Sequence, residues 1–333
     1  MKRLKAEEQH ITLLCCRWAL LGLSGLVLLA CLGPKLIPPT VVTLEHTSQV
    51  MVTPTYGEYM GTAEQTPLIN SNTSPTAAPI GLPKASPRDG MAQIYIPEGE
   101  FLMGTTEEQI NAWVLQYPEW HSGWFKNETP QHPVYLDAYW IDQTEVTNAM
   151  YAKCISDGGC TPNNNTSRTR DNYFGNVSFD NYPVIDVDWD MAKAYCTWAG
   201  RHLPSEAEWE KAARGVDGRA YPWGNNAPGK GLLNYNMNIN DTTAVGSYPL
   251  GASPYGALDM AGNVWEWVND WSDGADYQQS PSKNPIGPNA GKYRVLRGGA
   301  WLNDDREVRS AGRKMVGFIE TLDSYGFRCA VSP

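Results

Sequence analysis

The first strong pattern along the chain is a single block, Trp18–Ala30, of apolar and small residues with no charge, preceded by Lys2, Arg3, Lys5 and Arg17. A block this short suits a signal-peptide core better than a spanning helix of about 20 residues. Beyond residue 90 the pattern changes to short alternating runs. Gln93-Ile-Tyr-Ile96 and Gly99–Gly104 predict strands around a Pro-Glu-Gly turn, and His132–Asp142 predicts a strand pair. Helical spacing follows in three places. Thr147 is placed to cap a helix running to about Ile155 and stopped by Gly158-Gly159. Asp188–Ala199 forms a second helix, ended by Gly200. Ser205-Glu-Ala-Glu208 is a capping box, in which each side chain can reach the other residue's amide, and it opens a third helix through about Arg214. Few helices and many Gly-, Asn- and Pro-rich connections predict an α+β domain with long loops and little regular secondary structure.

Composition divides the chain in three. Residues 1–32 form the leader, and residues 33–90 are rich in Pro, Thr and Ser with only Tyr56 and Tyr59 as aromatics. Such a stretch buries too little apolar surface to offset chain entropy and reads as a linker. The globular domain is expected over 91–333, where all but one of the 13 Trp lie. The leader fits two devices. Leu28-Leu-Ala-Cys31 is an approximate lipobox with Cys31 as the lipidated residue, and a segment beginning at Ile11 would serve as an uncleaved anchor. Basic residues before the apolar run place the remainder outside the cytoplasm, tethered to a membrane.

The formal charge of the chain is −10. An acidic domain is a poor partner for nucleic acid, where neutralising phosphates dominates affinity. Five intervening residues between Cys154 and Cys160 make a loop that a disulfide closes in an oxidising compartment. Cys196, on a helix, reads first as a buried thiol and second as a partner of Cys329. The five His show no metal-ligand spacing, and neither a nucleophile elbow nor a phosphate-binding glycine loop is present.

Ordered motifs then point further. Ile96–Gly104, Thr144–Asn148, Ala192–Glu210, Tyr221-Pro-Trp-Gly-Asn225, Asp259–Trp267, Arg297-Gly-Gly-Ala-Trp301 and Gly326-Phe-Arg-Cys329 resemble, in order, the formylglycine-generating-enzyme (sulfatase-modifying factor) family. The resemblance implies a C-type-lectin-like α+β fold. It also implies, for active members, oxidation of a sulfatase cysteine to formylglycine on a copper ion held by two thiolates. Those two positions are Asn303 and Val308 here. Amide and alkyl groups are no ligands for Cu(I), so copper is not expected. In the family Cys329 matches a structural half-cystine whose partner position is Ala213. The resemblance also implies structural calcium, at Asp259, Gly262, Val264 and Glu266, and at a second site around Asn234 and Tyr235. Hard oxygen donors of this kind are what Ca2+ takes.

The segment Trp301–Arg313 is the candidate binding surface. Trp301, Asn303, Asp304, Asp305, Arg306, Arg309 and Arg313 combine an aromatic plate, acceptors and forked guanidiniums suited to a peptide, protein or glycan. The opposing reading is a loop whose arginines pair with nearby carboxylates. Trp265 and Trp267 read as core, and Glu206, Glu208 and Glu210 as a helix face. The functional expectation is a membrane-tethered binding or accessory module without catalysis. Its alternatives are a formylglycine-generating oxidase and a diversified lectin-like surface receptor.

Overall fold

The computed structural model describes residues 83–333 apart from 165, 275, 276, 278 and 279. The leader, including Cys31, and residues 33–82 lie outside the described residues. Among the described residues no helix is long and apolar enough to cross a membrane.

Three small sheets carry the fold. The first is antiparallel and orders β1 (Lys84–Ala85), β2 (Ala92–Ile96), β5 (Tyr139–Asp142) and β10 (Ala330–Val331) side by side. The second pairs β3 (Gly99–Met103) with β4 (His132–Leu136). The third orders β8 (Arg313–Val316), β7 (Tyr293–Arg297), β6 (Trp265–Ser272) and β9 (Tyr325–Phe327), with β6 and β9 parallel. The strands expected at 93–96 and 99–104 therefore form, but rather than pairing with each other the first pairs with β5 and the second with β4. The halves of 132–142 likewise enter different sheets.

Among the described residues there are four helices, α1 (Glu107–Gln116), α2 (Asn148–Ser156), α3 (Trp189–Trp198) and α4 (Glu206–Arg214); α1 packs on the short helical segment Ser122–Glu128 through Ile110, Trp120 and Phe125. The caps read from sequence are in place. Thr147 accepts from the Met150 amide, and the Ser205–Glu208 box is closed in both directions. Helix α1 was not expected; its box is Thr106 with Gln109, a glutamine variant of the same device. Trp209, Trp265, Trp267 and Trp301 are fully buried.

Two expectations are corrected. The domain does not begin at Met91. Residues 84–85 pair with β2, Ser86 is buried, and Asp89 is locked by Arg201 and by the Tyr195 hydroxyl at 2.7 Å. Composition does not exclude so short an edge strand, because its hold comes from one buried ion pair rather than from apolar area. Second, Cys196 is not a free thiol. It is bonded to Cys329, whose Cα lies 5.6 Å away, and Ala213 takes no part. The Cys154–Cys160 disulfide is present as expected.

Candidate functional site

The turn that opens the terminal segment depends on two glycines. A Cβ on Gly299 (φ 74°) would lie 2.8 Å from Val308 Cγ1 and 3.0 Å from the Glu307 carbonyl. The chain can fold residues 307–308 back onto the turn only because that atom is missing. Asn303 then braces the loop. Its Oδ1 accepts from the Ala300 amide at 2.9 Å, and its Nδ2 donates to Glu307 at 2.5 Å. Val308 is completely buried in an apolar cluster with Tyr221 and Leu233. Neither residue offers a soft donor, and all four described cysteines are in disulfides. The residues present do not fit copper(I).

Most of the segment proposed from sequence as a binding surface points inward. Trp301 is 1% exposed and its amide donates to the Asn263 carbonyl. Arg309 makes a two-pronged pair with Glu128 at 2.7 and 2.7 Å, and its guanidinium lies 4.6 Å from the Trp113 ring. Arg313 does the same with Glu206 at 2.6 and 2.6 Å. These arginines serve as internal struts, so Trp301, Asn303, Arg309 and Arg313 are corrected from surface to interior. The partners lie more than a hundred residues away in sequence, which is why the pattern of the loop alone pointed outward.

What stays accessible is Asp304, Asp305 and Arg306. Arg306 packs 4.1 Å over Trp124 and stands 3.7 Å from Glu307, beside a recess of about 100 Å3 that Trp265 and Glu128 also line. The indole nitrogen of Trp265 is buried there without a partner among the described residues. Burial, followed by the neighbouring Asp304, raises the Asp305 carboxyl above its usual range.

Behind the turn lies a cluster of three buried carboxylates. Glu266 is occupied on both oxygens by Arg328 (2.6 and 2.6 Å) and also accepts from Trp209 Nε1 at 2.8 Å. Asp259 sits at φ 56° and accepts from the Gly246 amide at 2.6 Å. The third carboxylate, Glu145, was not anticipated. Its Oε1 accepts from Asn263 at 3.0 Å, while its buried Oε2 receives no hydrogen bond from a donor group among the described residues and the carboxyl faces that of Asp259. Burial, then Asp259 and Glu266, hold the Glu145 carboxyl well above the usual range; burial is also the main cause of the rise at Asp259. Of the sequence-proposed calcium ligands, Asp259 thus has spare acceptor capacity, whereas Glu266 is committed to Arg328. Gly262 donates its amide to Gly298, and Val264 is buried beside Tyr173. At the second proposed site Asn234 Oδ1 is buried without a partner among the described residues, and the Tyr235 carbonyl accepts from the Asn238 amide. The nearby acid, Asp241, is saturated by Ser167, Thr169 and Arg170.

Around α4 a second ionic network pairs Glu206 and Glu210 with arginines. Glu210 pairs with Arg214 at 2.7 Å and with Arg297; Arg297 also lies 3.3 Å from Glu206, which Arg313 holds from its other side. Burial alone would raise Glu210, but Arg297 and Arg214 win and lower it.

Comparison with known proteins fits this architecture. A family model described as a sulfatase-modifying factor enzyme 1-like domain matches residues 79–333. The formylglycine-generating enzyme of Streptomyces coelicolor is 34% identical over 311 residues, with 77% of this chain and 94% of that protein covered. The serine/threonine-protein kinase pkn1 of Chlamydia caviae is 35% identical over 253 residues, covering 71% of this chain but only 37% of its own length. Among solved structures, PvdO from Pseudomonas aeruginosa superposes with a TM-score of 0.63 at 25% identity, over 77% of this chain and 100% of PvdO.

Proposed function

The chain belongs to the sulfatase-modifying factor enzyme 1-like family, and on that premise we propose that it is a non-catalytic binding or accessory module, tethered to a membrane by its N-terminus and facing away from the cytoplasm. The observation that carries the non-catalytic reading is the pair Asn303 and Val308. One is an amide bracing its own loop, the other an alkyl side chain sealed in the core. Without thiols there, the copper-dependent oxidation has no ligand set. The two disulfides support an oxidising compartment, and the basic residues before the apolar leader support the orientation.

Binding is assigned to the recess beside Arg306, where Trp124 supplies a plate, Arg306 a donor fork and Glu307 an acidic group. A peptide or glycan offering a carbonyl or carboxylate suits that mixture. Calcium would be held by Asp259 and Glu145, hard donors with capacity to spare, and would lock the loops around them together.

The rival reading, a formylglycine-generating oxidase, draws on the 94% coverage of the Streptomyces coelicolor enzyme. The deciding measurement is incubation of the protein with a Cys-x-Pro-x-Arg peptide, copper, reductant and oxygen, followed by mass spectrometry. The expected result is an unchanged peptide beside full conversion by an active homologue; appearance of formylglycine would overturn the non-catalytic reading.

A further inference from the structure

A second cavity, of about 320 Å3, opens beside the first turn of α4, between the end of β6 and the proline-rich segment 281–288. Its polar lining includes the carboxyl groups of Glu206, Asp270 and Asp273, while Pro281, Pro285 and Pro288 give it an apolar side; among the described residues no Lys, Arg or His lines it. The three acids are not equivalent. Glu206 is neutralised from the protein side by Arg313 and Arg297. Asp270, 5% exposed, makes no ion pair with the described residues, and Arg313 acts on it only at longer range. Its Oδ2 accepts from the Glu206 amide at 2.8 Å, capping α4, and its Oδ1 receives no hydrogen bond from the described residues. Gly287 keeps the space next to that oxygen clear: at φ 70° it has no side chain, and a Cβ would come 3.0 Å from Oδ1.

We propose that this cavity takes a primary ammonium on an alkyl stem, such as the lysine side chain of a peptide, with Asp270 Oδ1 as the anionic anchor. A buried carboxylate lacking a cation is completed by a charged donor that brings its own apolar stem. The prolines and Ala207 cover the stem, and Asp273 stands at the exposed side of the cavity. A primary amine is favoured over a quaternary one, because the Tyr277 ring is already covered by Arg313 at 4.2 Å and no aromatic cage is built. Burial, then Glu206, raises the Asp270 carboxyl well above the usual range, which is the state expected of an acid waiting for a counter-charge. The site is separate from the recess at Arg306, and it stands whether or not the domain oxidises cysteine.

The test titrates the full-length protein with Nα-acetyl-lysine N-methylamide and with the norleucine counterpart, followed by calorimetry. Saturable binding of the lysine probe is expected, with the norleucine probe at least about tenfold weaker. Asp270→Asn keeps an acceptor for the Glu206 amide and should lose about the same factor. Ser280→Lys places a lysine at the cavity lining and should abolish binding without touching the cap, so it decides the matter if Asp270→Asn does not fold. Equal binding of the two probes, no saturable binding of the lysine probe, or binding indifferent to Ser280→Lys would overturn the proposal.

Discussion

Two buried clusters of charge sit on either side of Trp209, and their arithmetic differs. Around α4, Glu206 and Glu210 face Arg214, Arg297 and Arg313, and both of these carboxylates have a guanidinium in contact. Behind the Gly-Gly turn, Glu145, Asp259 and Glu266 share one arginine, Arg328, which is spent on Glu266. The matched cluster lowers its carboxyl (Glu210) and the mismatched one raises two (Glu145 and Asp259). A buried charge without a partner must be neutralised by a proton or by a cation. The first cluster is therefore a structural brace, and the second can respond to its surroundings.

The largest effect expected from this contrast comes from breaking the brace. Arg297→Met should leave Glu210 and Glu206 under-compensated and destabilise the protein by about 3–5 kcal/mol, a fall of about 10 °C in the thermal midpoint for a domain this size. A fall no larger than that of a surface arginine would show that the two clusters are not different in kind.

Next in size is the response to metal. Calcium at a hundredfold excess over its Kd should stabilise the wild-type protein by about 2.7 kcal/mol, or roughly 5–10 °C. The gain should vanish in Asp259→Asn, while magnesium, which demands tighter geometry and keeps its water, should do less. Identical thermal midpoints with calcium and with a chelator would remove the metal from the account.

The smallest effect is a pH dependence in metal-free protein. Glu145 has a raised pKa in the folded state, so the stability linked to its neutral form is present below the unfolded-state value and is lost as pH rises through the folded one. Glu145→Gln stays neutral throughout. The variant should match the wild type near pH 4 and exceed it at pH 8 by about 1–2 kcal/mol in chemical denaturation. Glu210 runs the other way: its contribution is present above the unfolded-state value and is lost as pH falls through its lowered pKa.

Local features of this architecture were legible in the sequence. The Ser205–Glu208 box, the Thr147 cap and the Cys154–Cys160 loop each involve residues within six positions of one another, and each formed as read. The ordered motifs carried the fold. What local pattern could not carry was pairing at a distance. Arg309 finds Glu128 and Arg313 finds Glu206 across 181 and 107 positions, and Cys196 meets Cys329 across 133. A run of arginines beside a tryptophan looks the same whether it faces solvent or a buried acid. The candidate ligands fared similarly: Asp259 was readable from its motif, whereas Glu145 sits in a Thr-Glu-Val-Thr run whose charge gives no hint that it is completely buried. Asp270 was missed for the same reason, because a single acid in Val-Asn-Asp-Trp carries no spacing signal.

The way the described residues begin has a mechanical consequence. Lys84–Ala85 hold the edge of the first sheet by only two paired positions, while Asp89 just behind them is clamped by Arg201 and Tyr195. A pull on the N-terminal end would peel the short strand at low load and then meet the Asp89 clamp. Arg201 is five residues from Cys196, whose bond to Cys329 ties α3 to the C-terminal end of the chain. Tension entering at residue 83 is thereby passed into a covalently closed part of the core.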